Sequence, residues 1–549
     1  MNLFLPLILA LASILRLYDL SRLPISLFGD EVDVGYHAWS LITTGRDYLG
    51  NFLPSYIHSL SEWRAPLLMY VTAPFVGLFG PSTWSVRLPV ALLGILGVYL
   101  IYLLVRSLFP KNNHLPLISA FVLAITPWHI HYSRAAFEST LLLDLVLLGI
   151  YLFITQRLAL SLLAFALTFY TYSTANLFTP LLIAGLYIIY RPSLDIKKDW
   201  LKFIPALIIT IPIAYQVLFG QAAGRFQGIS IFNDQKIIDQ VIVQRTDPWV
   251  EKDNTDRFFT NKYDAIFRNF ISNYTSSFNK NFLFIEGDPY FRHSVGQVGE
   301  FLWPLLPFFL IGLVDLFRKP DKAKLLLLFW LLIAAFPSAL TQGGRFHATR
   351  LFVMIPPICF FIAKGVVTTF EFLSNWKVLR KLAVAITFIT LVYSFGVYWN
   401  RYSAHYRYES AKFWHYGYEE IFGKLAQYLP SQGKLFINNT YEPSLIRFAF
   451  FTKLSPNEFQ RSFTTDNPDS FKNDYFSGFR FGENIFFGQA KNLASIQELL
   501  QPGDIYLAVQ GKEVPGDWDW SLTPPEGLTV LDHTNDVYGK PLFYLVTRR

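Results

Sequence analysis

The chain has 549 residues, 52% of them hydrophobic and only 16% charged, too apolar a balance for an ordinary soluble enzyme of several domains. Its formal charge of +7 does not point to nucleic acid, because the basic residues sit in short loops between apolar runs rather than on one polar face. The single cysteine, Cys359, rules out an intramolecular disulfide; it lies within an apolar run and reads as packing.

A membrane-spanning helix needs roughly 20 mostly apolar residues, and runs of that kind recur from the N-terminus to about residue 400 and then stop. The first, 2–20, has no basic start and no small-residue cleavage site, so it reads as a retained signal anchor. The next run, 66–80, is short and carries two prolines and two glycines, which suits a re-entrant or juxtamembrane helix. Further spans are predicted at 84–108, 116–131, 140–156, 158–175, 177–190, 201–219, 301–317, 325–340, 351–370 and 381–398, making about eleven in all.

Parity supports that count. Leaving out 66–80 gathers Arg106, Lys111, Arg157, Arg191, Lys197, Lys198, Lys202, Arg318, Lys319, Lys322, Lys324, Lys377, Arg380 and Lys381 on one side, as the positive-inside rule requires. The opposite, extracytoplasmic side then receives loop 21–65, the turn around Arg134 and Glu138, loop 220–300, the turn 341–350 and everything after 400. Residues 1–399 thus read as a transmembrane module and 400–549 as a separate extracytoplasmic α/β domain. In the latter, LFINN, DIYLAV and PLFYLVT have strand character and SLIRFAFF lies between them as a helix. The fold class is a polytopic α-helical membrane protein carrying a C-terminal α/β domain. No fixed-period repeat or low-complexity tract interrupts it.

Five outer segments could carry chemistry. Asp30 and Glu31 follow the first span; adjacent carboxylates beside a membrane are costly to desolvate and could furnish a base, although acids also favour helix N-termini. Arg134 and Glu138 stand at i and i+4, where a plain surface ion pair explains them equally well. Arg64 precedes the short apolar run, a position that also suits snorkelling to headgroups. The turn TQGGRFHATR packs Arg345, His347 and Arg350 beside glycines, a pattern suited to phosphate and unexpected on the outer face. In IEGDPYFRHSVGQVG, Asp288 belongs to a turn, while Arg292 and His293 offer polar contacts. No HExxH or CxxC metal spacing and no GxxxxGK[ST] or GxGxxG cradle occurs, so soluble nucleotides are unsupported and the metal requirement stays open.

The segments FGDEVDVGYHAWSL, RAPLLMYVTAPFVGLFGPSTWSVRLPVALLG and PWHIHYSRAAFE, in that order and spacing, give residues 1–400 a resemblance to the GT-C superfamily. Within it the chain resembles the dolichyl-phosphate-mannose protein mannosyltransferases and the lipid A aminoarabinose transferases. The resemblance implies an inverting glycosyltransferase of the cell envelope. It would take a sugar from a polyprenyl-phosphate donor and pass it to an acceptor hydroxyl of protein, glycan or lipid, on the outer side of the inner (plasma) membrane. Carried over, it makes Asp30 the base, with Glu31 beside it, and gives Glu138 the second acidic position, where the family more often has aspartate. It assigns Arg64, His347 and Arg350 to the donor phosphate, with Arg345 added, and leaves Arg134, Asp288, Arg292 and His293 as a possible substrate loop. A divalent metal is permitted but not demanded by a monophosphate leaving group.

Rival readings are a transporter or flippase, an assembly or sensing protein, and an oligosaccharide transferase acting on asparagine amides. Transporters usually show repeats and mid-membrane charges, whereas the charges here lie at span ends.

Overall fold

The structure, a computed structural model, describes residues 3–59, 62–192, 196–220, 228–249, 253–318, 320–429, 433–463 and 470–549. Lys319 and the stretches 221–227 and 250–252 of the long loop lie outside them, as do the side chains of Lys197 and Lys198.

Every predicted span coincides with helix. In chain order the helices are α1 (Phe4–Leu17), α2 (Gly29–Thr44), which lies in the stretch predicted as loop 21–65, α3 (Leu67–Phe79), α4 (Thr83–Leu108), α5 (His114–Ile125), α6 (Pro127–Tyr132), α7 (Glu138–Ile154), α8 (Leu158–Thr168), α9 (Ala175–Tyr190) and α10 (Ile196–Leu218). Helices Leu306–Arg318, Lys322–Ile333, Ile355–Phe372 and Lys377–Asn400 complete the body. Five of the described helices are long and apolar enough to cross a bilayer outright, and five shorter apolar ones accompany them. The chain is a multi-pass membrane protein. Its lipid face is recognisable: on Lys377–Asn400, Val378, Ile386, Phe388, Ile389 and Val392 are exposed although apolar, a surface that only hydrocarbon covers without cost.

Three local outcomes follow from chain chemistry. The run predicted at 116–131 breaks at Thr126, which is extended because Pro127 disfavours helical backbone before it; Pro127 then starts α6. At 13 residues, α3 reaches about 20 Å, short of the ~30 Å hydrocarbon core, and it packs along α2 as a juxtamembrane helix. Helices Leu306–Arg318 and Ile355–Phe372 touch backbone to backbone. A Cβ on Gly312 would stand 1.9 Å from the Phe361 carbonyl oxygen, and one on Gly365 1.7 Å from that of Phe308, so only glycine permits the approach.

The loop predicted at 220–300 is largely helical, with Gln235–Thr246 and Lys262–Ser276 as its longer pieces. Beyond residue 400 a seven-stranded mixed sheet forms in the order β4-β5-β6-β3-β7-β9-β8. Its strands are β3 (Leu435–Asn438), β4 (Ser470–Lys472), β5 (Phe476–Phe481), β6 (Ile485–Ala490), β7 (Ile505–Val509), β8 (Leu528–Asn535) and β9 (Pro541–Arg548). β3 runs parallel to both of its neighbours, β6 and β7, and the other pairings described are antiparallel. The helix Leu445–Phe451 joins one face of the sheet to α2, and Phe448, Phe487 and Leu507 share a core with Val32, Val34 and Tyr36. Packing of the sheet region against α2 is what roofs the site.

Candidate active site

The start of α2 divides two carboxylates between two environments. Glu31 turns inward and is fully buried. Arg87 Nε and Nη2 donate to its two oxygens at 2.9 Å each, and the Ala136 and Phe28 N–H groups add 3.0 and 3.3 Å bonds. The same guanidinium donates to the Leu20, Pro24 and Ser26 carbonyls. Glu31, expected beside the base, is therefore not a cavity residue: it ties α2 to α4 and to the turn before α7. Arg87, its partner, sits inside an apolar run, which is why sequence reasoning passed over it.

Asp30, by contrast, keeps 45% of its side chain exposed and receives Arg64 Nη2 on Oδ1 at 2.6 Å. Arg64 is placed by a short hairpin, β1 (Ile57–His58) with β2 (Trp63–Arg64), in which Ile57 pairs with Arg64. The guanidinium is also 2.7 Å from Glu62, 3.7 Å from Glu138 and 4.0 Å from Asp33. Burial works against its charge, but these four carboxylates prevail and raise its pKa further above the ordinary arginine value. Asp33, one turn beyond Asp30, is buried; desolvation, opposed by Arg64, lifts its pKa to about 7. Asp33 and Glu62 were missed by the sequence reading, although the i, i+3 spacing from Asp30 marks Asp33 as facing the same way.

Asp30, Glu62, Arg64 and Glu138 wall a cavity of ≈ 210 Å³ that also takes in Arg292, His293, His347 and Arg350. Seven sequence-predicted residues, from Asp30 to Arg350, thus meet in one place. Three long helices contribute ends to it: Asp30 is in the first turn of α2, Glu138 begins α7, and Thr171–Ser173 lead into α9. Their N-termini direct positive dipole ends to this side, an arrangement that favours an anion. Arg350 Nη1 is steadied by donating to Thr341 Oγ1 at 2.7 Å and the Gln342 carbonyl at 2.9 Å. Arg292 donates to the Phe413 carbonyl and lies over the Phe28 ring at 4.9 Å.

Two candidates fall elsewhere. Arg134 neither pairs with Glu138 nor faces substrate: it is buried and donates to the Leu15, Tyr18 and Leu23 carbonyls and to Tyr402, since the turn Ser133–Phe137 folds it under α1. Arg345 is exposed and absent from the cavity lining, because the glycine-rich turn points it outward while His347 and Arg350 turn in.

Asp288 stands just behind the wall. Its Oδ2 accepts the Ala348 N–H at 2.9 Å and lies 3.1 Å from His293 Nδ1, and ligand atoms of Asp288, His293 and His347 all fall within 4.8 Å of one another. His347 is held well below the usual imidazole range by burial, reinforced by Arg350 and His293, and its buried Nδ1 has no hydrogen-bond partner. Two imidazoles and one carboxylate form a donor set that fits a divalent cation of zinc type.

Asp30 and Arg292 also line a larger cavity, ≈ 580 Å³, whose far wall comes from the C-terminal region through Asn439, Glu442 and Arg447. There Arg447 Nη2 and His415 Nδ1 stand 2.6 Å apart, while Glu442 lies 3.3 Å from His415 Nε2.

With this geometry the chain can be set against known proteins. The fold and site define a multi-pass membrane protein with a polar cleft roofed by an α/β sheet. A family profile described as dolichyl-phosphate-mannose-protein mannosyltransferase matches residues 63–216. YycA of Bacillus subtilis (strain 168), provisionally named a mannosyltransferase, is 30% identical over 129 residues, which are 21% of this chain and 18% of that protein's length. The solved structure of ArnT from Cupriavidus metallidurans bound to undecaprenyl phosphate superposes with a TM-score of 0.55 at 13% identity, covering 98% of this chain and 97% of that one. Its apo state gives 0.54 at 12% identity over the same shares. The chain therefore shares the fold of these ArnT structures over nearly its whole length.

Proposed function

We propose that the protein is an inverting glycosyltransferase that moves a sugar from a polyprenyl-phosphate donor to an acceptor hydroxyl on the extracytoplasmic face of the inner (plasma) membrane. The observation that carries this reading is the position of Asp30 where a small, basic-walled cavity meets a larger one. The donor phosphate occupies the small cavity, against Arg350, Arg292, His293 and His347, with the start of α7 adding its dipole. The acceptor enters through the larger cavity beneath the C-terminal α/β domain, taken as residues 400–549. Its hydroxyl gives its proton to Asp30 as the oxygen attacks the anomeric carbon from the side opposite the phosphate. The anomeric carbon–oxygen bond to phosphate breaks, and the polyprenyl phosphate leaves with the electron pair.

Arg64 keeps the Asp30 carboxylate aimed and ionised, and lies within reach of the leaving phosphate. Glu138, on the same guanidinium, completes the fixed charge pattern that stabilises developing charge. A cation held by Asp288, His293 and His347 would supply further positive charge near the phosphate; none of the steps above depends on it. Positive loops on the opposite face and the ArnT structure with undecaprenyl phosphate both support the assignment of side and donor. The match to a mannosyltransferase profile makes mannose the first sugar to try.

The test is transfer of radiolabelled sugar from a panel of polyprenyl-phosphate sugars by purified protein, with Asp30→Asn alongside. A positioned general base contributes about 10² to 10⁴ in rate, so Asp30→Asn should lose that factor while staying folded. Near-normal transfer by the variant at normal expression would refute the role of Asp30.

A further inference from the structure

At the end of the helical body opposite Asp30 lies another cavity, of ≈ 540 Å³. Helix α9 sets the separation: Thr171–Ser173 before it line the active-site cavity, whereas Tyr190, its last residue, lines this one, 16 helical residues or about 24 Å away. The walls come from the ends of several membrane helices and the turn after α4. Lys111, Lys322, Lys324 and Lys364 supply the basic side, and Leu108, Phe109 and Leu115 an apolar one.

The charges do not cancel. Lys324, 6% exposed, donates to Asp315 Oδ2 at 2.7 Å and lies 3.8 Å from Asp321; Lys364 is 3.5 Å from Asp315 Oδ1. Asp321 also caps the helix Lys322–Ile333, its Oδ1 accepting the Lys324 N–H. Lys324 and Lys364 are thus balanced by Asp315 and Asp321, whereas Lys111 and Lys322 have no ion-pair partner among the described residues and leave two positive charges beside an apolar wall. Lys111 and Lys322 are exposed at its rim. Such uncompensated charge at the mouth of a cavity attracts an anion, and basic pockets between membrane helices on the positive side are suited to lipid headgroups.

We propose that this cavity binds the phosphodiester headgroup of an anionic phospholipid from the leaflet on this side of the membrane, with the acyl chains along the Leu108, Phe109 and Leu115 wall. The apolar wall distinguishes a lipid from a soluble anion, which would gain nothing from it. The site stands apart from the glycosyl-transfer reading and survives if that reading fails.

The test uses the full chain in neutral detergent, given phosphatidylglycerol, phosphatidylcholine or inorganic phosphate, with retained lipid read by native mass spectrometry and stability by thermal unfolding. Wild type should retain phosphatidylglycerol in preference to phosphatidylcholine and unfold at a higher temperature with it. Lys111→Ala/Lys322→Ala removes only rim charges and leaves the buried Asp315 pair in place. It should bind phosphatidylglycerol at least tenfold more weakly, since each lysine near the surface is worth about fivefold. No preference of the wild type between the two lipids, or equal retention by the double variant, would overturn the proposal. The same thermal shift with inorganic phosphate alone would assign the cavity to a soluble anion and overturn the lipid.

Discussion

Asp30 and Glu31 leave the first turn of α2 about 100° apart, and that angle separates a cleft from a clamp. On one side, four carboxylates surround Arg64 within 4.0 Å and open to two cavities. On the other, one carboxylate and one guanidinium, both fully buried, use up their hydrogen-bonding capacity on each other and on backbone groups. The lesson is that an acidic pair is not a functional unit on a helix: its members face different neighbours, and what they face decides whether they meet substrate or hold the fold.

The comparison breaks most visibly at Glu31. Glu31→Ala leaves the Arg87 charge buried without a partner, a loss of about 3 to 5 kcal/mol, so its thermal unfolding in detergent should fall steeply while Asp30→Asn stays close to wild type. A Glu31→Ala protein with unchanged unfolding but no transfer would move Glu31 back to the chemistry. A smaller effect is expected at Asp33, which shares Arg64 with Asp30 but not its exposure. Its carboxyl pKa rises on folding from 3.8 to about 7, so the folded state binds the proton more tightly; that contribution to stability is complete below pH 3.8 and is lost as pH climbs towards 7. Asp33→Asn should flatten the unfolding temperature across that window; identical slopes for variant and wild type would show that Asp33 does not titrate there. The smallest effect belongs to Arg345→Ala, a change at an exposed side chain outside the cleft. Transfer should stay within about twofold, and a tenfold loss would return Arg345 to the donor phosphate.

Much of this cleft was legible because the chain places its unusual charges at the same ends of apolar runs. Asp30, Arg64, Glu138, Arg292, His293, His347 and Arg350 are spread over some three hundred residues, yet one topological rule, spans alternating in direction, brings them to one face. What the rule cannot supply is rotation about a helix axis or the depth of a side chain. Arg87 lies within an apolar helix, so nothing local distinguishes it from a snorkelling arginine; Arg134 looked like a surface partner of Glu138 because the bend at 133–137 is not written in the i, i+4 spacing. In the C-terminal region the buried strands β3 and β7 and the apolar strand β9 were readable as such. Strands β4, β5, β6 and β8 were not: FSGFRF and IFFGQA carry a glycine at the crossing point of the pair, and LTVLDHTN is an irregular edge strand with polar residues along it. His415, Glu442 and Arg447 went unnoticed because their proximity exists only once the sheet has folded over α2.

The glycine contact between Leu306–Arg318 and Ile355–Phe372 bears on how the molecule can move. With the Gly312 backbone against that of Phe361 and the Gly365 backbone against that of Phe308, a one-residue slip drives a side chain into a carbonyl. The pair consequently behaves as a single beam. His347 and Arg350 lie just before Ile355–Phe372 and Lys364 lies along it, so the cleft wall and the lysine cavity are attached to the same pair of helices.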